Sequence, residues 1–201
     1  QQRRQKALLK MNVELEQNNY LYVPNFLTAQ EADDLAQAFF IAQRDGYLVQ
    51  DTQVPAAFSG RNLLPCLKTL IKMLPQVSKL CGEELLPTYT NGRIYGKGDV
   101  LKKHTDRDAC EFSITVTLQK DKTNWPIWIK KPNGEEVSLS LNVGDAMLYL
   151  GCAANHWREA YQGNTQTQVF FHYVCANGDR AVDYFDNRNI LRHASHYRCF
   201  V

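Results

Sequence analysis

The sequence predicts a mainly β protein with N-terminal helices, an α+β chain. Its core is expected to be a double-stranded β-helix of the jelly-roll or cupin-like kind, buttressed by two or three helices. Three observations predict it. From Thr88 onward apolar residues alternate with a period of two, in about eight short runs separated by turn residues. Before that point they recur at helical spacing. Within the alternating region, His104-Thr105-Asp106 and His156 put chemistry-bearing side chains on strands, where alternate residues share a face.

Residues 1–17 read as a short polar helix, and Leu21-Tyr22-Val23 as a strand running into Pro24-Asn25-Phe26-Leu27. Thr28-Ala29-Gln30-Glu31 has the form of a capping box, and Ala32, Leu35, Ala36, Phe39 and Phe40 follow at helical spacing, which predicts a helix over about 29–44. Residues 45–62 contain Gly46, Pro55, Ser59 and Gly60 with little periodicity, and read as an irregular lid or binding loop. A second helix is built on Leu67, Leu70, Ile71 and Leu74; Pro75 should kink or end it, with a further turn to Cys81.

Strands are expected at 91–96, 100–105, 111–119, 126–131, 136–140, 146–150, 155–159 and 166–175. The turns between them include Gly96-Lys97-Gly98, Lys120-Asp121-Lys122, Pro132-Asn133-Gly134 and Gly144-Asp145. One domain is expected over 1–201: helical support to residue 87, the jelly roll over 88–176 and a polar, aromatic extension over 177–201.

Composition narrows the function classes. With 44% apolar residues the chain can bury a sizeable core, and its net charge of +2 gives no electrostatic footprint for nucleic acid. The six cysteines are scattered with no CxxC pair, which suggests reduced thiols and a cytoplasmic protein. No apolar run approaches a membrane span. The opening Gln-Gln-Arg-Arg-Gln-Lys has no apolar stretch behind it to make a secretory signal, and the absence of an initial Met leaves room for an upstream segment. Nothing in the sequence sets an oligomeric state.

Two histidines and one carboxylate on adjacent strands form the facial set that holds non-haem Fe(II) and leaves coordination positions open. The bland alternative is two core histidines and a surface Asp. A zinc site would use the same residues plus water, but no separate general base stands out.

The frame around these residues is more specific. Tyr95-x-x-Gly98-x-x-Leu101-x-x-His104-x-Asp106, then Gly144-Asp145 and His156, resembles the 2-oxoglutarate- and Fe(II)-dependent dioxygenases, most closely the prolyl-4-hydroxylase-like branch. The opening strand, Pro24-Asn25-Phe26-Leu27-Thr28 and helix resemble that branch too, so the likeness spans roughly residues 18–176. The resemblance implies that His104, Asp106 and His156 ligate Fe(II) and carry catalysis. It also implies that 2-oxoglutarate and O2 occupy the open positions, with ascorbate as a candidate auxiliary. The implied reaction hydroxylates an unactivated C–H bond of a peptidyl proline, an amino acid or another small substrate, giving succinate and CO2. Tyr95 matches a tyrosine that lines the cosubstrate pocket in that family.

One position departs from the family pattern. Where an Arg or Lys usually holds the distal carboxylate of 2-oxoglutarate, this chain has Gln166. A buried carboxylate without a cation is costly, by several kcal/mol, so either another cation reaches in or the cosubstrate differs. Arg93, two before Tyr95, is the first candidate and Arg158, two after His156, the second. Gln166, Gln168 and Thr117 could add hydrogen bonds. His172 shares their parity and is expected inside, as a core histidine or a substrate contact; Lys102, of the same parity as His104, is a second candidate substrate contact. Trp157 should point away from the ligand face, and Glu111 should pair with Arg158 or Arg107. His193 and His196 read as exposed tail residues.

The expected partner is a small molecule or peptide. A nucleic-acid dealkylase is disfavoured, because after Arg158 no arginine follows until Arg180, beyond the last strand. The competing class is a jelly-roll binding domain, or a zinc protein, without oxygenase activity.

Overall fold

A computed structural model describes residues 10–186. The chain runs α1 (Val13–Asn18), β1 (Tyr20–Val23), α2 (Ala29–Arg44), β2 (Val49–Gln50), β3 (Phe58–Arg61) and α3 (Leu64–Cys81). Then come β4 (Leu85–Gly96), β5 (Leu101–His104), β6 (Phe112–Lys120), β7 (Ile127–Lys130), β8 (Glu136–Leu139), β9 (Ala146–Leu150), β10 (His156–Arg158) and β11 (Thr165–Cys175). Short 3-10 segments at Asp108–Cys110 and Asp179–Asp186 complete it. The strands form a seven-stranded sheet, ordered β1-β9-β6-β11-β4-β3-β2, and a four-stranded sheet, ordered β5-β10-β7-β8. All the pairings are antiparallel. This is the mainly β, double-stranded β-helix architecture that the alternating pattern predicts.

Helices α2 and α3 pack on the larger sheet because each carries one apolar stripe. Leu35, Phe39, Leu70 and Val77 join Ile114, Val116, Leu148 and Phe171 in one buried cluster. Thr28 caps α2 with the complete capping box expected from its sequence. Phe39 lies so close to β4 that a Cβ on Gly92 would sit 2.0 Å from its Cζ. Only glycine lets the helix approach the strand this far.

The Gly144-Asp145 turn ties the N-terminal segment to the barrel. Asp145 accepts from Tyr22 Oη (2.7 Å), Asn25 N (3.0 Å) and Asn142 N (3.1 Å), and Leu27 N donates to Gly144 O (3.0 Å). Gly144 has φ +86°, and a Cβ there would meet Leu27 O at 2.4 Å.

Three expectations need correction. The polar helix begins only at Val13, where Asn12 Oδ1 accepts from Glu14 N and Leu15 N; its expected first half, residues 1–9, lies outside the described residues, as do His193 and His196. Of the two outcomes expected at Pro75 an end is excluded, since helix α3 runs through it to Cys81, where the further turn is expected to stop. Pro75 deprives the Ile71 carbonyl of its donor, but Ile71 is 47% exposed, so water can replace it. Residues 45–62 are not wholly irregular. Strands β2 and β3 form a hairpin that extends the larger sheet beyond β4.

Gly92→Ala should lower the free energy of unfolding by about 1–3 kcal/mol, through overpacking against Phe39. Urea unfolding checks it; an unchanged midpoint would show that Phe39 swings aside freely.

Candidate metal centre and cosubstrate pocket

Register builds the centre. His156 on β10 pairs directly with His104 at the end of β5, and the two rings lie 4.3 Å apart. Asp106 follows two residues on, held by Asp106 N donating to Gly151 O (2.8 Å). Its Oδ1 lies 3.3 Å from His104 Nε2 and 3.4 Å from His156 Nε2. His104 Nδ1 contacts Lys102 O (2.7 Å) and His156 Nδ1 contacts Ala154 O (3.0 Å). A carbonyl only accepts, so each Nδ1 carries a proton, and in the neutral ring that leaves the Nε2 lone pair turned toward Asp106.

Three acceptors thus converge on one point with no proton of their own to share. A cation resolves that conflict, and two imidazoles with a carboxylate suit a divalent transition metal. Burial opposes ionisation of Asp106, but the two imidazoles beside it, of His104 and His156, outweigh burial and hold the carboxyl well below the usual range. Asp106 Oδ2 is buried without a partner.

Asp106, Cys110 and His172 also lie close enough to form a second set. It is the poorer one. Burial pushes the Cys110 thiol far up, so it stays protonated, and His172 Nδ1 is engaged with Ser113 Oγ at 2.8 Å.

The centre opens into a small cavity of ≈ 80 Å³ between the two sheets. Its walls include Gln53, Arg93, Leu101, Arg158, Phe170 and His172. Arg93 is buried and paired with an acid. Its Nε is 3.0 Å from Asp51 Oδ2, Nη1 donates to Tyr95 Oη (2.8 Å) and Nη2 donates to Gln53 Oε1 (3.0 Å). Arg158 is 2% exposed and is treated differently. Its Nη1 donates to Trp125 O (2.6 Å) and its guanidinium lies over the Trp125 ring, while Nη2 has no partner and no acid among the described residues pairs with it. Burial pushes its pKa down to about 10.

The other expected residues divide. Tyr95 is buried, with its ring against Trp125 and its hydroxyl taken by Arg93. Gln168 Nε2 donates to Thr117 Oγ1 (2.8 Å) and Gln168 Oε1 accepts from Thr115 Oγ1, so Gln168 and Thr117 satisfy each other rather than the cavity. Gln166 pairs in register with Tyr95 and its Oε1 is buried without a partner. Lys102 is exposed and outside the cavity wall. A register shift between His156 and Arg158 brings Leu101 inward instead, which parity counted from His104 could not foresee. His172 is inside, 4.5 Å from the Tyr89 ring.

Trp157 faces away from the ligands as expected, stacked on Trp128. Glu111 pairs not with Arg158 or Arg107 but with Arg180 (3.4 Å). Wall residues that the sequence reading passed over are Tyr89, Asn91, Tyr149 and Gln53. The first two share the parity of Arg93 on β4, a signal that was present; Gln53 comes from a loop with no period to read.

No family model matches the chain, and no curated protein matches it. Solved structures do. A Pseudomonas putida prolyl-4-hydroxylase superposes with TM-score 0.66 at 15% identity, over 80% of this chain and 94% of its own. A Trichoplax adhaerens prolyl hydroxylase, in complex with a hypoxia inducible factor peptide fragment, gives 0.68 at 14%, over 84% and 89%. The alpha ketoglutarate dependent epimerase SnoN from nogalamycin biosynthesis gives 0.70 at 14%, over 85% and 83%. The chain therefore has the fold of the 2-oxoglutarate- and Fe(II)-dependent oxygenases, prolyl-4-hydroxylases among them. No described helix is long and apolar enough to cross a membrane.

Burial of neutral His172 has a pH signature. Its folded pKa is pushed down to about 4 from 6.5. Between those values the unfolded chain takes up a proton that the folded one refuses, so stability is full above pH 6.5 and falls as the pH drops toward 4. The metal-free protein should lose about 2 kcal/mol between pH 7 and 5. His172→Gln should remove most of that loss in urea titrations; an equal slope in the variant would assign it elsewhere.

Proposed function

We propose that the protein is an Fe(II)- and 2-oxoglutarate-dependent dioxygenase that hydroxylates an unactivated C–H bond of an amino acid, peptide or other small substrate, forming succinate and CO2. One observation carries the reading: three convergent lone pairs and an unpaired buried guanidinium share one cavity. His104, Asp106 and His156 would hold the iron, which when bound supplies the open positions and oxidising capacity that side chains lack. Among similar structures, SnoN has been solved with Fe3+ and alpha ketoglutarate.

The chain's own residues divide the remaining work. The carbonyls of Lys102 and Ala154 fix both imidazole tautomers. Arg158 Nη2 is the donor for the distal carboxylate of the cosubstrate, in place of the cation missing at Gln166. Arg93, the first candidate on sequence, is already neutralised by Asp51 and serves to fasten the Asp51–Val54 turn over the cavity, where Asp51 Oδ1 accepts from Gln53 N and Val54 N. Leu101, Ile127 and Phe170 line the cavity with apolar surface that limits water.

Anaerobic titration with Fe(II) and then 2-oxoglutarate tests the assignment. A saturable visible charge-transfer band should appear, and His104→Ala should abolish it. Arg158→Gln should raise the half-saturating 2-oxoglutarate concentration by ~30-fold or more, as expected for truncating one member of a buried charge pair. Arg93→Gln should chiefly destabilise the fold, because it strands buried Asp51. Metal uptake with no band at any 2-oxoglutarate concentration would sink the proposal.

A further inference from the structure

Two arginines beside the cavity have no part in that chemistry. Arg61 ends β3, opposite Asn91, and Arg107 directly follows Asp106. Both guanidinium carbons lie over the ring of Tyr89, at 4.2 and 4.5 Å from its centroid. Tyr89 lines the cavity, its ring lies 4.5 Å from that of His172, and its hydroxyl contacts Cys110 Sγ. His172 and Cys110 in turn cluster with Asp106. One aromatic ring thus bridges the metal centre and a pair of cations whose side chains are 36% and 48% exposed.

A carboxylate already occupies the pair. Arg61 Nη2 donates to Asp186 Oδ2, and Arg107 Nη1 donates to Asp186 Oδ1 (2.7 Å), so each oxygen takes one guanidinium. The segment that delivers Asp186 is poorly suited to stay there for its own sake. Tyr184 breaks the 3-10 run of Asp179–Asp186, and Phe185 and Asp186 have φ of 46° and 51°, a region costly for residues with a Cβ. Val182 and Tyr184 are exposed. Arg61 Nε is also buried without a hydrogen-bond partner.

We propose that Arg61 and Arg107 form the recognition site for a carboxylate on the substrate, and that Asp186 is an internal stand-in which the substrate displaces. Paired guanidinium groups are suited to planar carboxylates in this way. The substrate is then a carboxylic acid, supplied either as a free amino or other small acid or as an acidic side chain of a peptide. Its reacting carbon lies on the metal side of Tyr89. Calling the ligand a substrate rests on the oxygenase reading; binding at the clamp does not need iron.

The test uses metal-free protein and isothermal titration calorimetry. The probes are the free L-amino acids, their C-terminal amides, and end-blocked peptides containing Asp or Glu. Asp186→Asn removes the competitor, so at least one carboxylate probe should bind about tenfold tighter than to wild type, in proportion to the fraction of open clamp. The matching amide should not bind, and adding Arg107→Gln should cancel the gain. Binding of free acids alone assigns the small-molecule source; binding of blocked acidic peptides alone assigns the side chain. In wild-type protein, a saturating probe should speed hydrogen exchange across residues 179–186. A folded Asp186→Asn variant that gains no carboxylate binding, or binds amides equally, overturns the proposal. If that variant does not fold, unchanged wild-type exchange at 179–186 with every carboxylate probe overturns it. Success here without the charge-transfer band would leave the clamp as an anion site and remove only the oxygenase reading.

Discussion

The register of a three-residue strand is the constraint on which the rest depends. β10 lies between β5 and β7, and His156 opposes His104 on one side and Ile129 on the other. A slip of one residue would turn His156 outward and bring Trp157 in. The outer face resists that slip. Trp157 stacks on Trp128 at 5.9 Å with planes 13° apart, and Lys103 Nζ lies 3.9 Å from the centre of the Trp157 ring. Packing on the far side of the sheet therefore fixes the geometry of the near side, where strain would otherwise be free to choose.

Charge is distributed with the same economy. A buried guanidinium beside a carboxylate is a closed unit, and Arg93 with Asp51 is one. A buried guanidinium with a single carbonyl partner is open, and Arg158 is that. Leaving it open costs stability, since the cation is desolvated without a counter-charge. Such a cost is tolerated where an anionic ligand repays it on binding. Two arginines at similar depth thus stand in opposite states, set by whether an acid lies within reach.

Much of this was legible in the sequence, because a period of two survives wherever a strand has one buried face. Each strand from β4 to β11 overlaps one that alternation places, though β4 begins at Leu85 and not at 91, and the three metal-centre residues come together as their spacing implies. β2 and β3 escaped, in a stretch where Gly46, Pro55, Ser59 and Gly60 leave no alternation to read. Parity also failed at Lys102, where a register shift across from Arg158 breaks the alternation. The choice between Arg93 and Arg158 was hidden for another reason. Both point inward, and what separates them is Asp51, brought by a loop whose path no local pattern encodes. Asp186 meets Arg61 and Arg107 from far along the chain, which again only the tertiary structure reveals.

The position of β11 has a consequence for how the molecule is made. It is the last of the described strands to be made, yet it lies in the middle of the larger sheet, hydrogen-bonded to β4 on one edge and β6 on the other. Until it arrives, both neighbours present bare strand edges, and the contacts that close the sheet join residues far apart in the chain. Assembly dominated by such distant pairings is slow and leaves edges exposed to other chains. His156, nine residues ahead of β11, emerges at nearly the same moment. The nascent chain therefore cannot bring His104, Asp106 and His156 together until β10 has been made and has found its place beside β5.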